Sequence, residues 1–251
     1  MNTNTNDPKK ATWQPLATQI TNSNIKELDL QNTDLKSSNL PDFNLTGVNL
    51  TGSNLEGLDL SDCELRCTIL LGAHLSNSNL AHIDGYKACF DEAVLVGANM
   101  IGADLTNSDF KKANLSRAKL EGADFTEANL QGAGFTDTKG AGAIFANANM
   151  SSIQTCRSDF SGADFSGADL TKAMLYGAQM MGADLRNGVF KGADMTGCSL
   201  VGAKLAGADF DGTILDDVNF TGANLENAYI DHQYALTLNL TEFQISRLAT
   251  R

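Results

Sequence analysis

The chain has 251 residues, a formal net charge of −12 and 42% hydrophobic residues, and it contains no apolar run of the ~18 residues that a membrane-spanning helix needs. This composition excludes a transmembrane helix, and the negative charge argues against direct binding of nucleic acid. Residues 1–20 lack the apolar core of a secretory signal, so we predict a cytoplasmic protein that begins with an N-terminal tail and cap.

From residue 25 to residue 230 the chain repeats every five residues. Of the 42 positions that are multiples of five, 39 carry Leu, Ile, Met or Phe, and the register never slips. The residue two positions before each multiple of five is usually small, and the residue directly before it is usually Asp or Asn, as in "SGADFSGADL". Because helices and strands have other periods, this spacing predicts a short extended step that points two side chains inward. A two-residue turn follows, and its frequent Gly suits the positive φ of a type II turn.

These residues resemble the motif of the pentapeptide-repeat family from about Thr21 to Ile230. The resemblance implies an all-β fold, a right-handed quadrilateral β-helix solenoid with four pentapeptides in each coil. The repeats would then form about ten coils. At the usual strand spacing of ~4.8 Å, the rod is ~50 Å long. We predict one repeat domain over residues 21–230, because a solenoid grows by stacking.

Many acidic residues belong to the repeat itself. Short carboxylates can accept hydrogen bonds from turn amides, which is one interpretation of this position. The other is that stacked carboxylates form an acidic rod that resembles nucleic acid. The net charge gives about one charge per 4 Å of rod, against one per ~1.7 Å for duplex DNA, so mimicry requires one face to concentrate the charge. Fourteen of the 30 acidic residues directly precede a core position: Asp29, Asp34, Asp59, Glu64, Asp84, Asp104, Asp109, Asp124, Asp159, Asp164, Asp169, Asp184, Asp194 and Asp209.

Residues that are 20 apart are expected to stack on the same part of such a rod. Seven glycines have this spacing, from Gly102 to Gly222, and only one of the residues before them is charged. The column is either a set of turns in register or a smooth docking face or dimer contact. The candidate interaction face consists of Ile101, Gly102, Gly122, Ala141, Gly142, Gly162, Met181, Gly182, Val201 and Gly202.

Three core positions depart from the pattern, and two of them have Ile in the neighbouring small position. We interpret them as a core swap, in which nearby bulk fills the space, because a methyl-sized void is destabilising. The alternative is that residues 81–87 and 151–157 bulge outward as recognition loops. The core-swap residues are Ile83, Gly85, Gly140, Ile153 and Thr155.

A solenoid must cover the unpaired strand edges at its ends. After Ile230 the repeat fades, and Thr241 precedes a predicted short helix with Arg247 near its end. We predict a C-terminal cap over residues 231–251. Its apolar residues either plug the last coil or join two chains, since a C-terminal helix makes a dimer in the topoisomerase-protecting members of the family. These residues are Tyr229, Tyr234, Leu236, Leu238, Leu240, Phe243, Ile245 and Leu248.

The sequence offers few residues for chemistry. Neither His74 nor His82 has a Cys or Ser neighbour at the spacing of a nucleophile and its base. Cys63 and Cys198 fall in the small inward position. Cys63 and Cys67 lie on different sides of a turn, and no second Cys pair completes a zinc set with them. We predict that the protein is not an enzyme and has no catalytic, metal or cofactor site.

The expected function is a non-enzymatic scaffold that binds a protein partner, without direct nucleic-acid or membrane binding. The alternative is a DNA mimic that binds a type II topoisomerase, such as DNA gyrase or topoisomerase IV, and protects it from inhibitors. The resemblance to the quinolone-resistance members of the family suggests this antibiotic-resistance role. The long side loops of some resistance proteins are missing here.

Overall fold

The computed structural model describes residues 14–15, 21, 25–38, 40 and 42–249. Most of the predicted N-terminal tail and cap therefore lies outside the described residues. The strands and helices of the described residues are short. They are strand β1 (Gln14–Pro15), a 3₁₀ turn (Ile25–Glu27), strand β2 (Thr33–Asp34), helix α1 (His232–Ala235) and helix α2 (Glu242–Ile245).

Most of the chain forms a ladder of parallel bridges. β1 pairs with β2 in parallel, with Gln14 opposite Thr33. From Asp34 to Tyr229 every bridge joins residues that are 20 apart, and each bridged residue directly precedes a core position. Four successive bridges complete one coil, so the coil has the predicted 20 residues. None of the described helices has the length and apolar character needed to cross a bilayer.

The four sides are named from one coil and apply to all residues stacked on it at intervals of 20. Side A contains residues 103–105, side B residues 108–110, side C residues 113–115 and side D residues 118–120. The two residues between neighbouring sides form the D/A, A/B, B/C and C/D corners.

The core runs along the axis of the solenoid. All 42 multiples of five from Ile25 to Ile230 are buried, including the three that depart from the pattern. The rings of Phe90 and Phe110 stack with centroids 4.5 Å apart, close to the ~4.8 Å spacing of neighbouring strands. The large side chains therefore form columns in which each residue packs on its equivalent in the next coil.

Every corner has the same backbone conformation. At the second turn position, φ is positive in each of the described units from Asp42 to Asn227. Glycine supplies this conformation in many units, but Lys112 (φ 56°) and Arg117 (φ 61°) adopt it as well. Because a non-glycine residue is disfavoured there, the stacking of coils imposes the turn even where the local sequence opposes it.

The hydrogen bonds explain why Asp and Asn precede the core residue. In a regular unit, four of the five N–H groups donate to backbone carbonyls. Where Asp or Asn precedes the core residue, the fifth N–H, on the first turn residue, usually donates to that side chain, as Thr106 N–H does to Asp104 Oδ1 (3.1 Å). This confirms that the repeated carboxylates serve the turns. Around Asp104 the backbone bonds are Gly102 N to Glu121 O, Ala103 N to Met100 O, Asp104 N to Ile83 O and Leu105 N to Asp124 O.

The core-swap segments remain in the ladder. Ile83 and Ile153 are buried, and residues 81–87 and 151–157 keep their bridges. A β-carbon on Gly85 would lie 2.8 Å from Leu105 Cδ2, so neighbouring side chains fill the space beside Gly85. The turn bond to the residue three before is missing at the amides of Ile83 and Ser158, although the other described units from residue 38 to residue 228 make it.

Candidate protein-interaction surfaces

The predicted glycine column lies on the D/A corner. Its glycines all have positive φ and are exposed, and a β-carbon on five of them would meet no atom within 4 Å. His82 sits directly above the column and would lie 2.7 Å from a β-carbon on Gly102. Of the other predicted face residues, Met181 is 47% exposed, whereas Ile101, Ala141 and Val201 are half-buried. The structure thus brings the predicted residues together in one narrow strip.

Side A carries the largest share of the repeat carboxylates. Six of the fourteen lie on it, against four on side B and two each on sides C and D. At one end Arg66 binds Asp84 (2.8 Å). At the other end Arg186 binds Asp184 (2.7 Å), and hydrogen bonding from Arg186 lowers the pKa of that carboxyl below its usual value.

Between these ends lies a stretch without a cation on side A or its two corners, from residue 101 to residue 107 and in the three coils that follow. The charges span four coil levels, or ~14 Å at ~4.8 Å per coil, which gives about one charge per 3 Å. A single DNA strand carries about one per 3.4 Å and the duplex one per ~1.7 Å. The central acidic patch consists of Asp104, Glu121, Asp124, Glu127 and Asp164, with Ile144 among them.

Exposed apolar side chains gather on another part of the rod. Met174 (50% exposed), Tyr176 (57%) and Ile214 (46%) lie on side C and its C/D corner in the C-terminal half. Leu236, which is 55% exposed, directly follows α1 and comes after Ile214 along the chain. We call these four residues the side C stripe. Sequence reasoning named Leu236 as a cap or dimer residue but missed Met174, Tyr176 and Ile214, because these three interrupt polar columns one at a time.

The C-terminal segment contacts the last coil through a residue that the sequence analysis did not name. Gln244 of α2 is buried, and its Nε2 donates to Phe220 O (2.9 Å) and Ala223 O (3.2 Å). Phe243, one of the predicted plug or dimer residues, lies next to Gln244 in α2 and is 67% exposed. Thr241 is the N-cap of α2 and forms a capping box with Gln244. The Thr-x-x-Gln pattern could have identified Gln244.

Other residues of the C-terminal segment divide between the core and the solvent. Tyr234 accepts a hydrogen bond from Leu215 N (2.8 Å) and donates one to Asp216 (3.1 Å). Tyr229 bridges to Asp209 as part of the ladder. The residues packed against the core are Tyr234, Leu238, Leu240 and Leu248, whereas Ile245 is half-buried and Leu236 is exposed.

The cysteines, His74 and His82 lie apart from one another on the rod. Cys63 and Cys198 are buried, and their thiols donate to the carbonyls of the preceding coil. Burial raises the pKa of Cys63 to about 11 and that of Cys198 to about 12. His74 lies on side C and His82 on the D/A corner. Among the described residues, no group of three or more His, Cys, Asp or Glu side chains could hold a metal ion.

The sequence matches the family described as pentapeptide repeats in eight copies, over residues 44–81, 88–126, 120–153, 156–187 and 189–230. These segments cover more than half of the chain. The chain belongs to the pentapeptide repeat family. The predicted resemblance is thereby confirmed, and the family fold implies a right-handed β-helix. No protein with a curated description matches the sequence.

Solved structures of other pentapeptide repeat proteins are similar to this one. HetL, involved in heterocyst differentiation regulation in the cyanobacterium Nostoc sp. strain PCC 7120, is 27% identical with a TM-score of 0.52, over 78% of this chain and 90% of HetL. Rfr23 of the cyanobacterium Cyanothece 51142 is 22% identical with a TM-score of 0.31, over 50% of this chain and 89% of Rfr23. QnrB1, a plasmid-mediated fluoroquinolone resistance protein, is 21% identical with a TM-score of 0.27, over 70% of this chain and 84% of QnrB1.

Proposed function

We propose that this pentapeptide repeat protein is a non-enzymatic protein-interaction scaffold. The observation that supports the proposal is the contrast between a filled core and regular outer columns. All core positions are buried, so partners meet only the columns of outward side chains. These columns differ in chemistry, since side A is acidic, the D/A corner is smooth and side C carries exposed apolar residues.

The scaffold would be a rod of about ten coils, or ~50 Å, closed at its C-terminal end by residues 231–251. Gln244 supports this closure, because its side chain donates to Ala223 O, a carbonyl that would otherwise face the next coil, and also to Phe220 O. Ala249 N also donates to Ala228 O (2.8 Å), in the manner of one further coil. A closed end favours partners that bind along the sides rather than at the terminus.

The scaffold proposal is tested by capturing partners on the tagged protein and on a side A variant. Asp104→Asn, Asp124→Asn and Asp164→Asn together remove three charges but keep the side-chain oxygen that each turn amide needs. The control removes the same charge elsewhere through Asp59→Asn, Asp159→Asn and Asp169→Asn. A partner that is lost only with the side A variant supports a scaffold that binds through this side. Capture of no protein above background, or equal loss with both variants, contradicts it.

The central acidic patch favours a second candidate, a DNA mimic that binds a type II topoisomerase such as DNA gyrase or topoisomerase IV. Its charge density is close to that of one DNA strand, although the rod as a whole is more dilute. Purified gyrase should bind the parent protein, and binding should weaken steeply with salt, because exposed charges are screened over ~8–10 Å. Supercoiling in the presence of a quinolone should be restored by the parent and less by the side A variant. Salt-insensitive binding, or none, contradicts the mimic.

A further inference from the structure

Side C combines little charge with exposed apolar side chains. A side whose charges are mostly of one sign repels its copy when identical rods pack side by side, and side A would place six carboxylates against six carboxylates. In the outward column of side C from His74 to Ile214, Asp194 is the only acidic residue, and there is no Lys or Arg. It also holds the exposed apolar stripe, and dimer interfaces are depleted in charge and enriched in such residues.

The residues of this region are arranged symmetrically about the coil of Asp194. Met174 and Ile214 lie one coil to either side of Asp194 in the same column, since Met174 bridges to Asp194 and Asp194 bridges to Ile214. On the neighbouring B/C corner, the exposed Lys172 and Asp211 also lie one coil to either side of the coil of Lys191. Lys191 is bound to Asp209 (3.3 Å), whereas Lys172 and Asp211 form no salt bridge among the described residues.

We propose that side C binds a second copy of this chain in antiparallel orientation, through a two-fold axis that passes beside Asp194. Such an axis lies in the interface, perpendicular to the rods, and places each corner against the same corner of the partner. Met174 then faces Ile214 of the partner subunit, and Lys172 faces Asp211 of the partner subunit. The same operation repeats both contacts. The exposed Leu236 is also covered, because the end of each rod overlaps the coil before Met174 in the other.

The contact is small enough to predict a weak dimer. About five coil levels at ~4.8 Å, by roughly 20 Å across the side and its corners, give roughly 500 Å² on each copy. The total of roughly 1,000 Å² lies at the low end of specific interfaces. The two Asp194 carboxylates near the axis oppose association. Each is bound to its own Thr196, through N (3.0 Å) and Oγ1 (2.6 Å).

Sedimentation velocity over a concentration series tests the proposal on the full chain. The parent should dimerise at micromolar concentration, and Met174→Asp with Ile214→Asp should remain monomeric. The matched control is Ile69→Asp with Leu71→Asp, which changes two similarly exposed apolar residues on side B and the B/C corner and should leave the dimer intact. Thermal unfolding of each variant establishes that it is folded. A parent that is monomeric throughout overturns the proposal, and so does dimerisation that Phe243→Ser abolishes while the side C variant retains it.

Charge exchange tests the orientation independently of the apolar contact. Lys172→Glu alone and Asp211→Lys alone should each weaken the dimer, and the two together should restore it, because both contacts across the axis are then reversed. Asp194→Asn should tighten the dimer, since it removes the like charges near the axis and keeps the acceptor for Thr196. A double charge exchange that dissociates more than either single variant overturns the antiparallel arrangement.

Discussion

The ring of Phe160 occupies the space that a side chain on Gly140 would need. A β-carbon built on Gly140 would lie 2.7 Å from both Cδ1 and Cε1 of Phe160, a contact too short for either atom. Phe160 is the equivalent of Gly140 one coil further on, and its ring also makes edge contacts with Phe135, Phe145 and Phe165. The space that Gly140 leaves in the core is thus filled by Phe160 of the next coil.

Gly140→Ala should therefore destabilise the protein. The new methyl group displaces a ring that is packed on three sides, and overpacking of this kind lowers the free energy of unfolding by about 1–3 kcal/mol. Gly134→Ala is the matched control, because its β-carbon would meet only Asn114 Oδ1 at 3.8 Å. Chemical denaturation measures both. Equal stability of the two variants would mean that Phe160 moves aside freely.

Thr155→Val should stabilise the protein. The Thr155 hydroxyl is buried and has no hydrogen-bond partner among the described residues, and an unsatisfied buried polar group is destabilising by about 1–3 kcal/mol. The comparison is Thr138→Val, because Thr138 Oγ1 donates to Leu115 O (2.8 Å) and its removal should be destabilising. Thermal unfolding should move the two variants in opposite directions. A loss of stability in both would show that the Thr155 hydroxyl is bonded.

Ile153→Ala should lower the free energy of unfolding by about 2–5 kcal/mol, the usual range for a buried Ile. Ile153 is fully buried in a position that normally holds Ala. Ala163→Ser, in a regular unit nearby, removes no bulk and should cost less. Thermal unfolding compares the two variants. A variant that melts like the parent would place Ile153 outside the core and make residues 151–157 a recognition loop.

Gln244→Leu should loosen the C-terminal end. The variant leaves the carbonyls of Phe220 and Ala223 without their side-chain donor, and it removes half of the capping box with Thr241. We expect a loss of about 1–3 kcal/mol, because Ala223 O loses its donor, whereas Phe220 O keeps the turn bond from Ala223 N (2.9 Å). Amide hydrogen exchange should accelerate in the last coil and much less in the central coils. Phe243→Ser, a change at an exposed position, should leave the exchange unchanged; similar acceleration in both would contradict the role of Gln244.

Cys63 and Cys198 should resist thiol reagents at pH 8 while Cys67 reacts, because Cys67 is exposed and the buried thiols have pKa values of about 11 and 12. Mass spectrometry of labelled peptides over time measures the order. Above the ordinary cysteine pKa of 9.0, the folded protein keeps protons that the unfolded chain releases. Stability should consequently fall as pH rises from about 9 to about 12. Cys63 reacting as quickly as Cys67 would show that the first coils open readily.

The sequence predicted the repeat unit because each unit repeats the same local chemistry, whereas the coil of four units was an implication of the family resemblance. A buried residue every five positions and a carboxylate or amide before it can be recognised without knowing the neighbours, as Asp104 and Leu105 illustrate. The filling of Gly140 by Phe160 could not be predicted, since it depends on the rotamer of a residue 20 positions away. The exposure of Phe243 and burial of Gln244 reverse the order of hydrophobicity. Gln244 is buried because its side chain donates to carbonyls of the last coil, and no periodic pattern in the sequence indicates this contact.

The fixed frame of four units per coil has a consequence for changes in chain length. Deleting 20 residues would shorten the rod by one coil and leave every outer column in place. Deleting five would keep a hydrophobic residue at each core position, but every residue downstream would move to the neighbouring side. Side A upstream of the deletion would then continue into the residues that now form side B. A deletion between Ile144 and Asp164 would separate these two residues, which now stack on each other. Insertions and deletions of single units can therefore rewrite the whole surface of such a protein while its interior stays folded.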